Sequence, residues 1–208
     1  LRARSDECGV VFVRKPEEAN HTLVRSFGSL PPHRLMGIAN SRLFTSVLDS
    51  GKTEIINDLH ADSRWAEEVP EVSSILIAPL KDRDKVMGGL VLMGLDQAPP
   101  FTAKRLKQTD TLATVAGIAV ANSLNFETIQ SILTALMQAM STAIDSRDST
   151  TAGHSHRVAR YARLLALAVH ENQGPCKHIS FTRDQIQEIY FAGLLHDVGK
   201  IGIREDLL

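Results

Sequence analysis

The chain is poor in the residues that would tie it to several common classes of protein. Its 208 residues hold two cysteines, Cys8 and Cys176, far apart and at no metal or redox spacing, which excludes a disulfide framework and a cysteine-based zinc module. Both read as reduced thiols, and a cytoplasmic location is expected. Positive charge is not in excess: 23 Lys and Arg against 24 Asp and Glu give a formal net charge of −1, and no long Lys/Arg run occurs. A surface for a nucleic acid polymer is therefore not expected. No unbroken apolar run approaches the ~20 residues that span a bilayer, the best candidates, Ile75 to Leu80 and Val86 to Leu95, being of strand length. Neither does a signal-peptide pattern open the chain, which begins at Leu1 and is expected to be cut at both ends. What remains, 43% hydrophobic and 23% charged, is ordinary for one large or two modest globular domains.

The densest chemistry lies in Leu194-Leu195-His196-Asp197-Val198-Gly199-Lys200-Ile201-Gly202-Ile203. His196 offers an imidazole nitrogen and Asp197 a carboxylate, a donor mix suited to divalent Mn, Fe, Ni, Zn or Mg. An ion held this way brings the pKa of water from ~15.7 towards ~7. Lys200 follows His196 by about one helical turn, near enough to set an ammonium beside a phosphate oxygen. Upstream, Asp148, Thr151, Gly153, His154, Ser155, Arg157 and Val158 form a second cluster. His154 opens a segment in which Val158, Tyr161, Leu165 and Ala168 recur at helical spacing, so that face, with His154, is expected to point inwards.

Together these strings resemble the N-terminal half of an HD-GYP domain, the branch of the HD phosphohydrolases that hydrolyses cyclic di-GMP. The resemblance implies His154, His196 and Asp197 as metal ligands, Asp197 and Lys200 as catalytic groups, and Lys200 with Arg157 as contacts to the substrate. Where some members carry a glutamate that helps hold a third metal, four residues before the first histidine, this chain has Thr150, which favours two divalent ions. The later histidines, the final aspartate and the Gly-Tyr-Pro segment of the family find no match before Leu208, so the chain is expected to carry part of the ligand set and not to be complete as an enzyme.

Residues 8 to about 100 mix β-rich runs with turn signals: Cys8 to Val13, His21 to Phe27, Ser74 to Leu80 and Val86 to Met93, the last two joined by the polar loop Lys81 to Lys85. Their order is similar to a GAF domain without its first helix. Gly37 to Ser50 would close over the pocket, Gly51 to Leu59 would be the strand and turn after it, and Pro100-Phe101-Thr102 would begin the closing helix. GAF domains bind small molecules or dimerise; the ligand here is not legible. His21, His33 and His60 are isolated and read better as surface or hydrogen-bonded residues than as haem ligands.

From Thr102 to Asp148 there is no proline, and Leu112, Val115, Ala119, Asn122, Phe126, Ile129, Leu133, Leu136, Met140 and Ala143 recur by threes and fours. That rhythm predicts a coiled coil and a homodimer, with Asn122 setting register; the alternative is a helix whose halves pack separately on the two domains. After it, Glu171 to His178 reads as a surface loop and Thr182 with Gln185 as a helix-opening capping box.

The chain is thus expected to be α+β: a GAF-like antiparallel sheet with flanking helices over 1–124, a connecting helix over 125–144, and incomplete all-α HD-type helices over 145–208. The expected function is a signal-regulated phosphodiesterase acting on cyclic di-GMP to give pGpG or GMP. An HD phosphohydrolase for another phosphoester, and a catalytically silent sensor or dimerisation module, stand as alternatives.

Overall fold

The computed structural model describes residues 7–15, 17–18, 20–65, 69–95, 98–145, 153–172 and 174–202. They divide into two compact units, Leu1–Phe126 and Glu127–Leu208.

In the first unit the two-residue period of strand side chains decides the architecture. β1 (Glu7–Val13), β4 (Val72–Asp82) and β5 (Lys85–Leu95) bury nearly every position, so the sheet is covered on both faces. Cys8, Val10, Phe12, Ile75, Ile77, Val91 and Met93 join one apolar cluster, while Leu76, Ala78, Leu80, Leu90 and Leu92 join the other. With β2 (Thr22–Phe27) and β3 (Glu54–Ile56) these strands make one antiparallel sheet in the order β2-β1-β5-β4-β3. The β4–β5 hairpin closes through Arg83-Asp84, with Arg83 at φ 52°.

The first cluster is closed by α1 (Pro32–Leu35) and α2 (Arg42–Ser50). Ser41 Oγ accepts from the Phe44 amide to start α2, and Gly51, at φ 63°, ends it in the left-handed region that favours glycine. Leu43, Phe44, Val47 and Leu48 are all buried, and Phe44 meets Phe12 edge-on at 5.4 Å between centroids. Gly37 to Ser50, expected to close over a pocket, packs its side chains into this cluster, joined by Leu59, Trp65 and Val69.

The other cluster is closed by the first half of α3 (Ala103–Asp145), which brings Ala113 onto the sheet next to Phe101. Thr109, Ala113, Gly117 and Ala121, small and four apart, are its buried positions. Near its start Arg105 Nη2 donates to Glu7 Oε2 at 2.6 Å, and both side chains are largely buried. Removing one partner of such a pair leaves a buried charge unmatched. Arg105→Ala is accordingly expected to destabilise this unit by about 3 kcal/mol, and Glu7→Gln in the same background to recover part of that loss; chemical denaturation of the three variants checks it.

The predicted seam of α3 stays uncovered. Every one of its ten positions from Leu112 to Ala143 is exposed, with Val115, Phe126 and Ile129 each at 60% or more. At about 100° per residue the seam lies on the side of the helix opposite Thr109, Ala113, Gly117 and Ala121. Between Asp110 and Asp145 the only charged residue is Glu127. By length and composition α3 therefore suffices to cross a membrane, with an 18-residue window of mean hydropathy 1.2, 17% buried. A search for unbroken apolar runs overlooks this because Thr, Ser, Asn and Gln interrupt the runs without adding charge.

In the second unit, α4 (His154–His170) packs on α5 (Arg183–Leu195). The expected inward face of α4 is corrected: Tyr161 and Leu165 are 60% and 67% exposed, and the buried positions are Ser155, Ala159 and Ala166. A Cβ added to Gly193 on α5 would lie 2.7 Å from Ala159 Cα, so the two backbones approach as only small residues allow, and the bulky face is turned away. The capping box at Thr182 and Gln185 forms as predicted, Thr182 Oγ1 accepting from the Gln185 amide and the Gln185 side chain from the Thr182 amide. Gln138 on α3 donates to the Tyr190 hydroxyl at 3.3 Å, and Ser141, Ile144 and Asp145 of the same helix are buried.

Candidate metal centre

His154 is the first residue of α4, entered through Gly153 at φ 69°, a left-handed turn that brings the chain onto the helix axis at this point. His196 and Asp197 follow the last residue of α5, and a short 3₁₀ turn, Val198–Gly202, carries Lys200 back over them. Because α4 and α5 are in such close contact, the ends of the two helices bring one ligand atom from each of His154, His196 and Asp197 within 4.8 Å of one another. The two imidazole rings stand edge to face, 5.3 Å apart at 62°. Among the described residues, this is the one group of three or more His, Cys, Asp and Glu with metal-ligand spacing.

Local hydrogen bonds prepare His196 and Asp197. His196 Nδ1 lies 2.8 Å from the Gly193 carbonyl. A carbonyl only accepts, so Nδ1 carries a proton, and Nε2 is the ring nitrogen that faces Asp197 Oδ2, 3.4 Å away. Lys200 Nζ donates to the same Oδ2 at 2.8 Å. That ammonium, with smaller contributions from His196 and His154, holds the Asp197 carboxyl below the usual carboxylate range. The sign is that of a depressed acid: the interaction is in force at neutral pH and is lost as pH falls through the lowered pKa. Two imidazole nitrogens and an ionised carboxylate are a donor set that fits a borderline divalent cation.

The remaining sequence candidates fall elsewhere. Arg157, one turn after His154 on α4, is exposed and stands outside the trio of donors. Asp148, Thr150, Thr151 and Ile203 lie outside the described residues. His178 is exposed in the loop after α4, and His33 and His60 are exposed in the first unit. His21 is half-buried against the Phe44 ring, and burial, helped by Arg14, pushes its pKa down. Burial pushes the Cys8 thiol up to about 11, so it is an inert core residue. Sequence reasoning missed Gly193, whose carbonyl orients His196 and whose missing side chain admits α4. It also missed the buried hydrogen bond from Ser155 Oγ to Asp145 Oδ1 at 2.7 Å, between residues ten apart across a helix break.

The chain matches the GAF domain family over residues 3–121 and the HD domain family over residues 151–208. Solved structures similar to it include a type II free methionine-R-sulfoxide reductase from Thermoplasma acidophilum, 12% identical, with a TM-score of 0.46 over 57% of this chain and 80% of that one. A GAF domain/HD domain protein from Geobacter sulfurreducens is 16% identical, with a TM-score of 0.45 over 57% of this chain and 82% of that one. The GAF domain of a phosphoenolpyruvate-protein phosphotransferase from Coxiella burnetii is 16% identical, with a TM-score of 0.49 over 60% and 76%. No curated protein matches the sequence. The antiparallel sheet with its flanking helices, the long helix and the helical pair behind the donors agree with the two matched regions, and the chain belongs to the GAF domain family, its GAF domain followed by an HD domain.

Proposed function

We propose that this chain is the sensory and first catalytic part of a metal-dependent phosphodiesterase of the HD-GYP type, which hydrolyses cyclic di-GMP to pGpG or GMP. The observation that carries the reading is the convergence of His154, His196, Asp197 and Lys200 at adjoining ends of two helices. His154, His196 and Asp197 would hold a divalent ion, one of two in the complete site. When bound, such an ion supplies a nucleophile at neutral pH by acidifying water. Lys200 keeps Asp197 ionised and shares its ammonium between that carboxylate and a phosphate oxygen of the substrate. The Gly193 carbonyl keeps the His196 ring in the tautomer that offers Nε2. Arg157, exposed one turn along α4, would meet a second phosphate of a dinucleotide substrate.

The preference for cyclic di-GMP rests on the two motif strings, and the test is a panel of phosphoesters offered to the full-length protein loaded with Mn²⁺. Cyclic di-GMP is expected to be turned over at least tenfold faster than cGMP or bis-p-nitrophenyl phosphate. Equal rates on all three would leave a general HD phosphohydrolase.

The connecting segment 125–144 is assigned to a dimer. The exposed seam from Leu112 to Ala143 repeats in heptads over 32 residues, about 48 Å of helix, and with no charged residue among its ten positions it suits a second copy of itself. Leu133→Asp is expected to convert a dimer into a monomer at micromolar concentration, read by light scattering; a dimer that survives it would free the seam for another role. With the seam so occupied, α3 acts as an interface between copies and the protein resides in the cytoplasm.

A further inference from the structure

We propose that Asp145 and Ser155 form a positioning pair that fixes His154 for metal binding and ties that ligand to the end of α3; this rests on the metal-centre reading above. Asp145 is the last residue of α3, and Ser155 is the second residue of α4, directly after His154. Ser155 Oγ donates to Asp145 Oδ1 at 2.7 Å, with the two residues 1% and 5% exposed. A hydroxyl-to-carboxylate bond sheltered from water is short and strong, and it leaves the backbone of residues 154 and 155 little freedom relative to α3. Gly153 at the N-cap position offers no side chain, and among the described residues no side-chain cap closes the start of α4.

The cost of this arrangement argues for a role beyond holding the fold. Asp145 Oδ2 is also buried and, among the described residues, has no hydrogen-bond partner. A buried carboxylate with half its acceptor capacity unused is a poor choice for stability, because an apolar pair of the same volume would avoid the desolvation. What the polar pair provides is a directional link at one point, between the helix that carries the dimer seam and the helix that carries a ligand. Displacement at the end of α3 is then passed to His154 through a single bond.

The test measures Mn²⁺ affinity by titration calorimetry on the full-length protein, with the metal-free thermal midpoint recorded for each variant. Ser155→Ala and Asp145→Ala should each weaken Mn²⁺ binding by about 10- to 100-fold, the range seen when a group that orients a ligand is removed. The double variant should be no weaker than either single one, and Asp145→Asn, which keeps the acceptor, should remain within about threefold of wild type. Binding unchanged in a folded Ser155→Ala protein would overturn the pair while leaving the metal centre intact. Additive losses in the double variant would likewise reduce both residues to separate packing roles. Absence of Mn²⁺ binding in the wild type would overturn the metal centre itself, and the pair with it.

Discussion

His196→Ala and Asp197→Ala are each expected to reduce bound divalent metal to background in protein purified without chelators, and to lower phosphodiesterase activity by more than the ~100-fold that losing a merely orienting group costs. Each substitution removes one of three donors that meet within 4.8 Å, and neither residue belongs to the apolar core. The metal-free thermal midpoint should therefore stay close to that of the wild type, which separates loss of a ligand from loss of the fold. Lys200→Ala gives the contrasting outcome. Lys200 hydrogen-bonds the Asp197 carboxylate and supplies charge, so its loss should leave metal content largely intact while slowing turnover by about 10² to 10³, the scale of one electrostatic contact to a transition state. Elemental analysis and initial rates on the same preparations check all three. Retention of full metal content by both ligand variants would remove the centre proposed here.

Gly193→Val is the second large effect, and it acts without touching a donor. The first added carbon would already stand 2.7 Å from Ala159 Cα and 3.0 Å from its nitrogen, both backbone atoms that no rotamer change can move. The helices must separate, at a cost of about 1–3 kcal/mol for an overpacked contact. They also carry His154 at one end and His196 at the other side of the same contact, so metal binding should fall with the helix pair even where far-ultraviolet circular dichroism still reports helix. Because the obstruction is chiefly backbone, Ala159→Gly should not rescue it. A Gly193→Val protein with wild-type stability and metal affinity would show that the close approach of α4 and α5 does not hold the donors in place.

How far the sequence could be read follows from where the information is local. The strands of the first unit were legible because burial on both faces leaves β-rich runs bounded by turn residues, and Lys81 to Lys85 marked the hairpin between β4 and β5. The capping box at Thr182 and Gln185 was legible because both groups sit within one turn. His196, Asp197 and Lys200 were legible for the same reason. The face of α4 was not: the helical spacing of Val158, Tyr161, Leu165 and Ala168 marked the bulky stripe, whereas α4 and α5 meet closely at Ala159 and Gly193, which hydrophobicity does not mark. The tautomer of His196 depends on a carbonyl three residues back, and the Asp145–Ser155 bond spans a break between helices, so no periodicity announces either. The composition of α3 was half legible, in that its seam could be counted in the sequence, while its near-absence of charge over 111–144 became telling only once one unbroken helix was seen to contain it.

The measurement that bears most directly on the central claim is hydrolysis of cyclic di-GMP by the full-length protein, followed by chromatographic identification of the product after chelation and after Mn²⁺ is restored. The account predicts pGpG or GMP from the metal-loaded protein, none after chelation, recovery on adding Mn²⁺, and none at any stage from Asp197→Ala. Intact cyclic di-GMP in every sample, from a protein that demonstrably holds its metal, would contradict it.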